Sequence, residues 1–69
     1  MSQDARKILA KNIKSLRTKS GLTREKLSLE LGLDNSYISK LENEQINIRL
    51  DTLIKIAEKL NVEIKNLFS

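Results

Sequence analysis

Cysteine, histidine and proline are all absent from this 69-residue sequence, and each absence excludes a class of structure or chemistry. Without cysteine, neither a disulfide framework nor a thiolate metal site can form. Without histidine, the chain lacks the commonest metal ligand and the commonest general base. No acid–base pair typical of a catalytic cleft stands out either. We therefore expect a protein that needs no cofactor and is not an enzyme.

Long apolar runs are also missing. None approaches the ~20 residues that span a bilayer, and residues 1–11 are too polar and charged for a secretory signal peptide. We expect one small domain over residues 1–69, located in the cytoplasm and not bound to a membrane. A chain of this length buries only ~60% of the surface that its unfolded form exposes, so oligomerisation would help to stabilise it.

Positive charge is concentrated at the N-terminal end. The net charge is +4, but residues 1–26 carry eight basic and two acidic residues, whereas residues 27–69 carry five basic and seven acidic ones. This asymmetry suits a polyanion that meets one side of the fold. A solvated lysine-rich surface explains it equally well, so charge supports a nucleic-acid partner without deciding for one.

Apolar residues recur at helical spacing, and no segment alternates as a strand would. A first helix, capped by Ser2 or Asp4, is predicted to end near residue 20 because Gly21 can adopt a left-handed conformation. A second helix begins after its N-cap Thr23 and ends before Gly32. The apolar face of the first helix consists of Ala5, Ile8, Leu9, Ile13 and Leu16.

Three further elements are predicted in the second half. Asp34 caps a third helix over residues 35–43, which is followed by a polar loop over residues 44–49. A fourth helix covers residues 50–60, and a short last helix or turn covers residues 63–68. The apolar stripe of the fourth helix consists of Leu50, Leu53, Ile54, Ala57 and Leu60. The whole pattern indicates an all-α protein.

Residues 22–42 carry the functional signal, because they form a helix, a tight turn with glycine and a second helix. Apolar residues in both helices are spaced so that the helices pack across each other. The outward side of the second helix presents short polar groups and one cation: Asn35, Ser36, Ser39 and Lys40. Such side chains suit hydrogen bonds to base edges in the DNA major groove.

Residues 9–68 resemble the helix-turn-helix family of lambda-type phage repressors, Cro-like proteins and restriction–modification controller proteins. The matching segments are Ile13–Arg17, Gly21–Thr23, Lys26–Leu27, Leu31–Leu33, Ser36–Glu42, Leu50–Ala57, Leu60–Val62 and Leu67–Phe68. The resemblance implies a compact five-helix bundle. It also implies a transcriptional regulator, a repressor or a controller protein, that binds a pseudo-palindromic operator in double-stranded DNA as a homodimer.

The resemblance also assigns roles to single positions. The start of the third helix reads bases, which implicates Asn35 and Ser36, and the next turn implicates Ser39 and Lys40. Contacts with the DNA backbone are implied for Thr23, Arg24, Tyr37, Asn43 and Arg49. The family usually has glutamine where this chain has Arg24, and an arginine can hold a phosphate through its charge.

Structural roles are implied as well. Arg17 and Glu42 are expected to form an ion pair that braces the fold. The family often has glycine after the third helix, where this chain has Asn43 and Glu44, and we expect Asn43 to adopt the left-handed conformation there. The dimer interface is expected to involve Val62, Ile64, Leu67 and Phe68.

Several alternatives stay open. Tyr37 and Ser39 fit a packing role as well as a DNA contact, and the first-helix lysines 7, 11 and 14 fit a solvated face. The acidic residues Glu30, Glu42 and Glu44 are a candidate surface for activating RNA polymerase. Two other functions share such a fold. One is the antitoxin of a toxin–antitoxin pair, and the other is a protein-interaction module without DNA, for which Leu29 offers an apolar contact.

Overall fold

The computed structural model describes residues 3–69, so the predicted cap at Ser2 lies outside the described residues. It contains four α-helices and one short 3-10 helix. These are α1 (Gln3–Lys19), α2 (Arg24–Glu30), α3 (Tyr37–Glu42), α4 (Leu50–Lys59) and the 3-10 helix (Ile64–Leu67). No residue from 3 to 69 is in a strand, which confirms the all-α prediction.

The expected fifth α-helix is instead a single 3-10 turn, which corrects the five-helix prediction. Its backbone bonds run from the Asn66 amide to the Glu63 carbonyl and from the Phe68 amide to the Lys65 carbonyl. Bonds over three residues define a 3-10 helix, which is seldom longer than one turn.

The core lies where the helices meet. Helix α1 packs against α3 and the 3-10 helix, α2 packs against α3, and α4 packs against the 3-10 helix. Six apolar side chains from all five elements are almost completely buried: Leu9, Ile13, Leu27, Ile38, Ile56 and Leu67. Within residues 3–69, no helix has both the length and the apolar character that a membrane crossing requires.

Three residues expected on core-facing stripes are exposed at the edge of their helices instead. Ile8 is 41% exposed, Leu50 63% and Ile54 40%, whereas Ile56, which the predicted stripe of α4 omitted, is completely buried. The apolar stripes are therefore wider than the faces that the core covers. On α4, the apolar residues that the core does not cover, Leu50 and Ile54, form an apolar edge on the surface.

Each of the four α-helices is followed, two residues after its last residue, by a residue of positive φ. Gly21 and Gly32 have φ of +73° and +74°, which confirms that these glycines stop α1 and α2. Glu44 and Asn61 follow α3 and α4 with φ of 60°. The prediction for Asn43 is wrong: its φ is −91°. Because α3 ends at Glu42, Asn43 is the C-cap, and the left-handed position falls on the next residue.

Candidate nucleic-acid interface

Helix α2 begins with a side-chain cap. The Thr23 hydroxyl accepts a hydrogen bond from the Lys26 amide at 3.0 Å, as predicted for an N-cap. After α2, the Leu33 amide donates to the Ser28 carbonyl at 3.0 Å across the turn at Gly32. These bonds set the path of the chain from α2 towards α3, and α2 packs against α3.

Helix α3 begins two residues later than the sequence suggests. Asn35 and Ser36 lie in a turn, in which the Tyr37 amide donates to the Asp34 carbonyl at 2.9 Å. The predicted cap Asp34 therefore does not cap α3, and its carboxylate instead faces the Ser36 amide at a long 3.4 Å. The N-cap is Ser36, whose hydroxyl makes no capping bond.

The four candidate base-reading residues lie on one surface segment. Asn35 and Lys40 are exposed, and Ser36 and Ser39 are half-buried. Ser36, Ser39 and Lys40 share one side of the helical turn because residues three and four positions apart are neighbours. Ile38 and Leu41 are buried on the opposite side. The segment thus presents short polar groups and one cation outward from a buried base.

The candidate DNA-backbone residues lie in or next to α2, α3 and the loop that follows α3. Thr23 and Arg24 are exposed at the start of α2 and line an open crevice with Lys14 of α1. Tyr37 is half-buried and packs against the core, so its ring has a structural role in addition to any DNA contact. Asn43 is exposed beyond α3, and Arg49 is exposed and 4.0 Å from Asp51.

A buried ion pair holds the C-terminal end of α3. The Arg17 guanidinium donates two hydrogen bonds to the Glu42 carboxylate, from Nε at 2.7 Å and from Nη2 at 3.2 Å. A third bond runs from Arg17 Nη1 to the Leu22 carbonyl at 2.7 Å. Both side chains are below a tenth exposed. Arg17 therefore ties α3 to α1 and to the turn before α2.

A buried serine that is not among the predicted functional residues holds the other end of α3. The Ser28 hydroxyl donates to the Arg24 carbonyl at 2.8 Å and accepts from the Ile38 amide at 3.0 Å. Ser28 is completely buried. The sequence does contain an indication of this role: Ser28 follows Leu27 on the buried side of α2, and a buried polar group needs hydrogen-bond partners.

Five exposed basic side chains of α1, α2 and α3 are not neutralised by a carboxylate of the described residues. Lys7, Lys11 and Lys14 form an exposed row on α1, and Arg24 and Lys40 are exposed on α2 and α3. None of these five forms an ion pair with a carboxylate of residues 3–69. Their charges therefore remain available to a polyanion.

Glu42 cannot be part of the candidate activating surface, because its side chain is only 3% exposed and is bound to Arg17. Glu30 is occupied as well, by Lys59 at 3.0 Å and by Lys26 at 3.6 Å. The hydrogen bond from Lys59, with the charges of both lysines, lowers the pKa of Glu30 below its ordinary value. Glu30 thus links α2 to α4.

The candidate dimer residues divide into two groups. Leu67 is 0% exposed in the core of the single chain, so the prediction that it contacts a partner subunit is wrong. Val62, Ile64 and Phe68 are half-buried and keep part of their surface free. Asn12 of α1 holds this last segment in place by donating to the carbonyl of Leu67 at 2.9 Å and to that of Ser69 at 3.1 Å.

Comparison with known proteins agrees with this geometry. Residues 13–67 match the family described as Helix-turn-helix. The chain is 36% identical over 66 residues to "Control protein C.SmaI" of Serratia marcescens, which covers 96% of this chain and 79% of that protein.

Two crystal structures are also similar. The hypothetical transcription factor NHTF from Neisseria has a TM-score of 0.92 and 36% identity, covering 97% of this chain and 77% of that one. The restriction–modification controller protein C.AhdI from Aeromonas hydrophila has a TM-score of 0.85 and 35% identity, covering 91% of this chain and 96% of that one. The chain therefore belongs to the helix-turn-helix family, among DNA-binding transcription regulators of the controller-protein type.

Proposed function

We propose that this protein binds a pseudo-palindromic operator as a homodimer and controls transcription of restriction–modification genes. One observation carries the DNA-reading part of the proposal. Asn35, Ser36, Ser39 and Lys40 form an outward polar segment at the start of α3, and both ends of that helix are held by neighbouring helices. The names of the similar controller proteins support the restriction–modification setting.

In this proposal the start of α3 enters the major groove. Lys40 donates to guanine O6 and N7, and the Asn35 amide pairs with adenine. Thr23, Arg24 and Lys14 face the phosphates from the crevice at the start of α2, with Asn43 and Arg49 as further backbone contacts. Binding weakens as salt rises because the phosphates release counterions when these cations bind.

Two copies are needed for tight binding. One small domain contacts DNA through roughly 600–1,000 Å², and two domains on half-sites about one helical turn apart double the contacts. The exposed edge of α4, Leu50 and Ile54, supplies apolar surface for the dimer. The half-buried Val62, Ile64 and Phe68 add to it, since α4 packs against the 3-10 helix.

Selection of binding sites from random duplex DNA tests the reading role. We expect an enriched pseudo-palindrome with half-sites about one turn apart. Asn35→Ala and Lys40→Ala should each relax the selection at particular base pairs, whereas Lys55→Ala, on the exposed side of α4, should leave it unchanged. Salt-sensitive binding without an enriched motif would contradict sequence-specific reading.

Sedimentation of the free protein tests the dimer. Ile54→Glu should shift the population towards monomer because it places a charge in an apolar interface. Leu29→Glu is the matched control, since Leu29 is 56% exposed on α2 and is not part of the proposed interface. If Ile54→Glu and Leu29→Glu have the same fraction of dimer, an interface at α4 is contradicted.

We further infer that the protein acts in the cytoplasm by binding and not by catalysis. A contact with RNA polymerase stays a prediction. Of the three candidate acidic residues Glu30, Glu42 and Glu44, only Glu44 takes part in none of the three ion pairs described above. Purification of the native protein separates the remaining candidates. Co-purification with a toxin would favour an antitoxin, and a folded protein that binds no DNA at low salt would favour an interaction module.

A further inference from the structure

The hydroxyl of Ser28 lies between the two helices of the DNA-binding motif, at the end of α3 that carries the candidate base readers. Ser28 belongs to α2, and its hydroxyl oxygen accepts a hydrogen bond from the amide of Ile38, the second residue of α3. The first amides of any helix lack partners within the helix. Because the N-cap Ser36 makes no side-chain bond, Ser28 supplies from α2 the cap that the N-cap residue of α3 does not provide.

The geometry fixes this serine in one orientation. Its proton points to the Arg24 carbonyl at 2.8 Å, which leaves the oxygen lone pairs free to accept from Ile38 at 3.0 Å. Both Ser28 and Ile38 are 0% exposed, so water has no access to replace the bond. The result is a continuous chain of bonds from the Ile38 amide through Ser28 to the backbone of Arg24.

This chain joins the two parts of the proposed DNA contact. Arg24 is a proposed phosphate contact on α2, and Asn35 and Ser36 are the proposed base readers that immediately precede α3. Helix α3 has only six residues, so it depends on its neighbours for its orientation. A shift of its first turn would move the readers relative to the phosphate contacts, and base readout depends on that register.

We propose that Ser28 is a positioning residue for base readout, which couples the register of the base-reading turn to the phosphate-contacting residue Arg24. The proposal rests on the proposed function, since it assumes that α3 reads the operator. It assigns no DNA contact to Ser28 itself, because the side chain is buried under the motif.

Affinity for two duplexes tests the proposal: a selected operator, and a scrambled duplex of the same length and composition. Ser28→Ala removes the acceptor with little change in volume. We expect its affinity for the operator to fall by about tenfold, the effect of one misplaced base contact. Its affinity for the scrambled duplex should stay within about twofold, because phosphate contacts alone support non-specific binding.

Two control variants separate positioning from general destabilisation. Ser20→Ala removes a similar bond to a carbonyl four residues back, that of Leu16 at 3.0 Å, but on the exposed end of α1. Ile56→Val trims a buried side chain of α4. Both should keep the wild-type ratio of operator to scrambled affinity. An unchanged ratio in Ser28→Ala, or an equal loss in Ile56→Val, would overturn the proposal.

If Ser28→Ala fails to fold, a second substitution and a second measurement still test the proposal. Ser28→Cys keeps the shape but accepts hydrogen bonds weakly, so its ratio should fall less than that of Ser28→Ala. An unchanged ratio would overturn the proposal. Hydrogen exchange without DNA tests the cap itself: the wild-type Ile38 amide should be protected like that of Leu41, and fast exchange there would contradict the bond.

The two failures can be told apart. If the wild-type protein binds both duplexes equally, the proposed function fails, while Ile38 exchange still reports on the cap. If the wild-type protein prefers the operator and Ser28→Ala keeps the same preference, the function stands and the positioning role is wrong.

Discussion

The two ends of α3 are held by different kinds of interaction. At the C-terminal end, Glu42 forms a buried ion pair with Arg17 of α1. At the N-terminal end, uncharged groups of Ser28 and Asp34 accept hydrogen bonds from the amides of Ile38 and Tyr37. The difference shows how a six-residue helix acquires a fixed position. A buried ion pair holds its C-terminal end inside the fold, and hydrogen bonds between uncharged groups hold the N-terminal end, which is proposed to face DNA.

The largest expected effect is at the ionic end. Glu42→Ala should lower the free energy of unfolding by roughly 3–5 kcal/mol, because it leaves the Arg17 guanidinium buried without its counter-charge. Urea unfolding measures this loss. The control is Glu63→Ala, which breaks the exposed pair with Lys65 and should change stability by about 0.5 kcal/mol or less. Equal losses in the two variants would contradict a buried anchor at Glu42.

The same end can also be changed without leaving a lone charge. Replacing both partners, Arg17→Met with Glu42→Leu, should recover most of the stability lost in Glu42→Ala, because two apolar side chains need no counter-charge. The Leu22 carbonyl still loses its bond from Arg17, so recovery should be incomplete. A double variant as unstable as the single one would mean that the pair fixes the packing in a way that apolar groups cannot replace.

The neutral end should respond less. Ser28→Ala leaves the buried Ile38 amide without a partner and should cost about 1–3 kcal/mol in unfolding free energy. Ser20→Ala removes an exposed hydroxyl and should change stability by about 0.5 kcal/mol or less. Thermal unfolding of both variants gives the comparison. A loss in Ser28→Ala larger than that in Glu42→Ala would reverse the ranking of the two ends.

Replacing the residue after α3 should stabilise the protein. Glu44 has φ of 60°, a conformation that costs a residue with a β-carbon roughly 1–2 kcal/mol. Glycine avoids this cost but loses more entropy on folding, so Glu44→Gly should gain about 0.5–1 kcal/mol. Asn61→Gly, at the matching position after α4, should gain less because asparagine tolerates this region better. A loss of stability in Glu44→Gly would indicate that the Glu44 side chain makes a contact worth more than the backbone strain.

The smallest effect concerns pH. The folded-state pKa of Glu30 is lowered chiefly by the hydrogen bond from Lys59, so the ionised carboxylate stabilises the folded state. This contribution is present above the ordinary glutamate pKa of about 4.3, and it is lost as the pH falls through the lower folded-state value. In Glu30→Gln, stability should therefore fall less between neutral and acidic pH than in the wild type. Identical pH profiles would mean that the Lys59 contact contributes nothing in solution.

Local signals in the sequence predicted the helices and their ends. Gly21, Gly32 and Thr23 act as expected because these three positions depend only on residues next to them in the chain. The Arg17–Glu42 pair was expected only through the family resemblance, since nothing local joins residues 25 positions apart. The start of α3 was predicted two residues too early for the same reason, because the contact that holds it comes from a residue distant in the chain. Asp34 looked like a cap by position, whereas the side-chain acceptor for the first turn comes from Ser28 on another helix.

Burial was harder to predict than helicity. Ile54 and Ile56 are both isoleucines in α4, and only the packing of the 3-10 helix and the other helices decides which one is buried. For the same reason Leu67, expected at a dimer interface, is part of the core. The identity of the candidate DNA-facing segment followed from polar residues in a recognisable motif, but its support from Ser28 required the three-dimensional arrangement.

Amide chemical shifts, recorded while a selected operator duplex is added, show whether the segment around the start of α3 faces the DNA. We expect the largest changes at residues 35–40 and at Thr23 and Arg24, with small changes along Lys7 and Lys11 on α1. The largest changes on the α1 lysines, with residues 35–40 unaffected, would contradict this expectation. The basic face of α1 would then be the nucleic-acid interface.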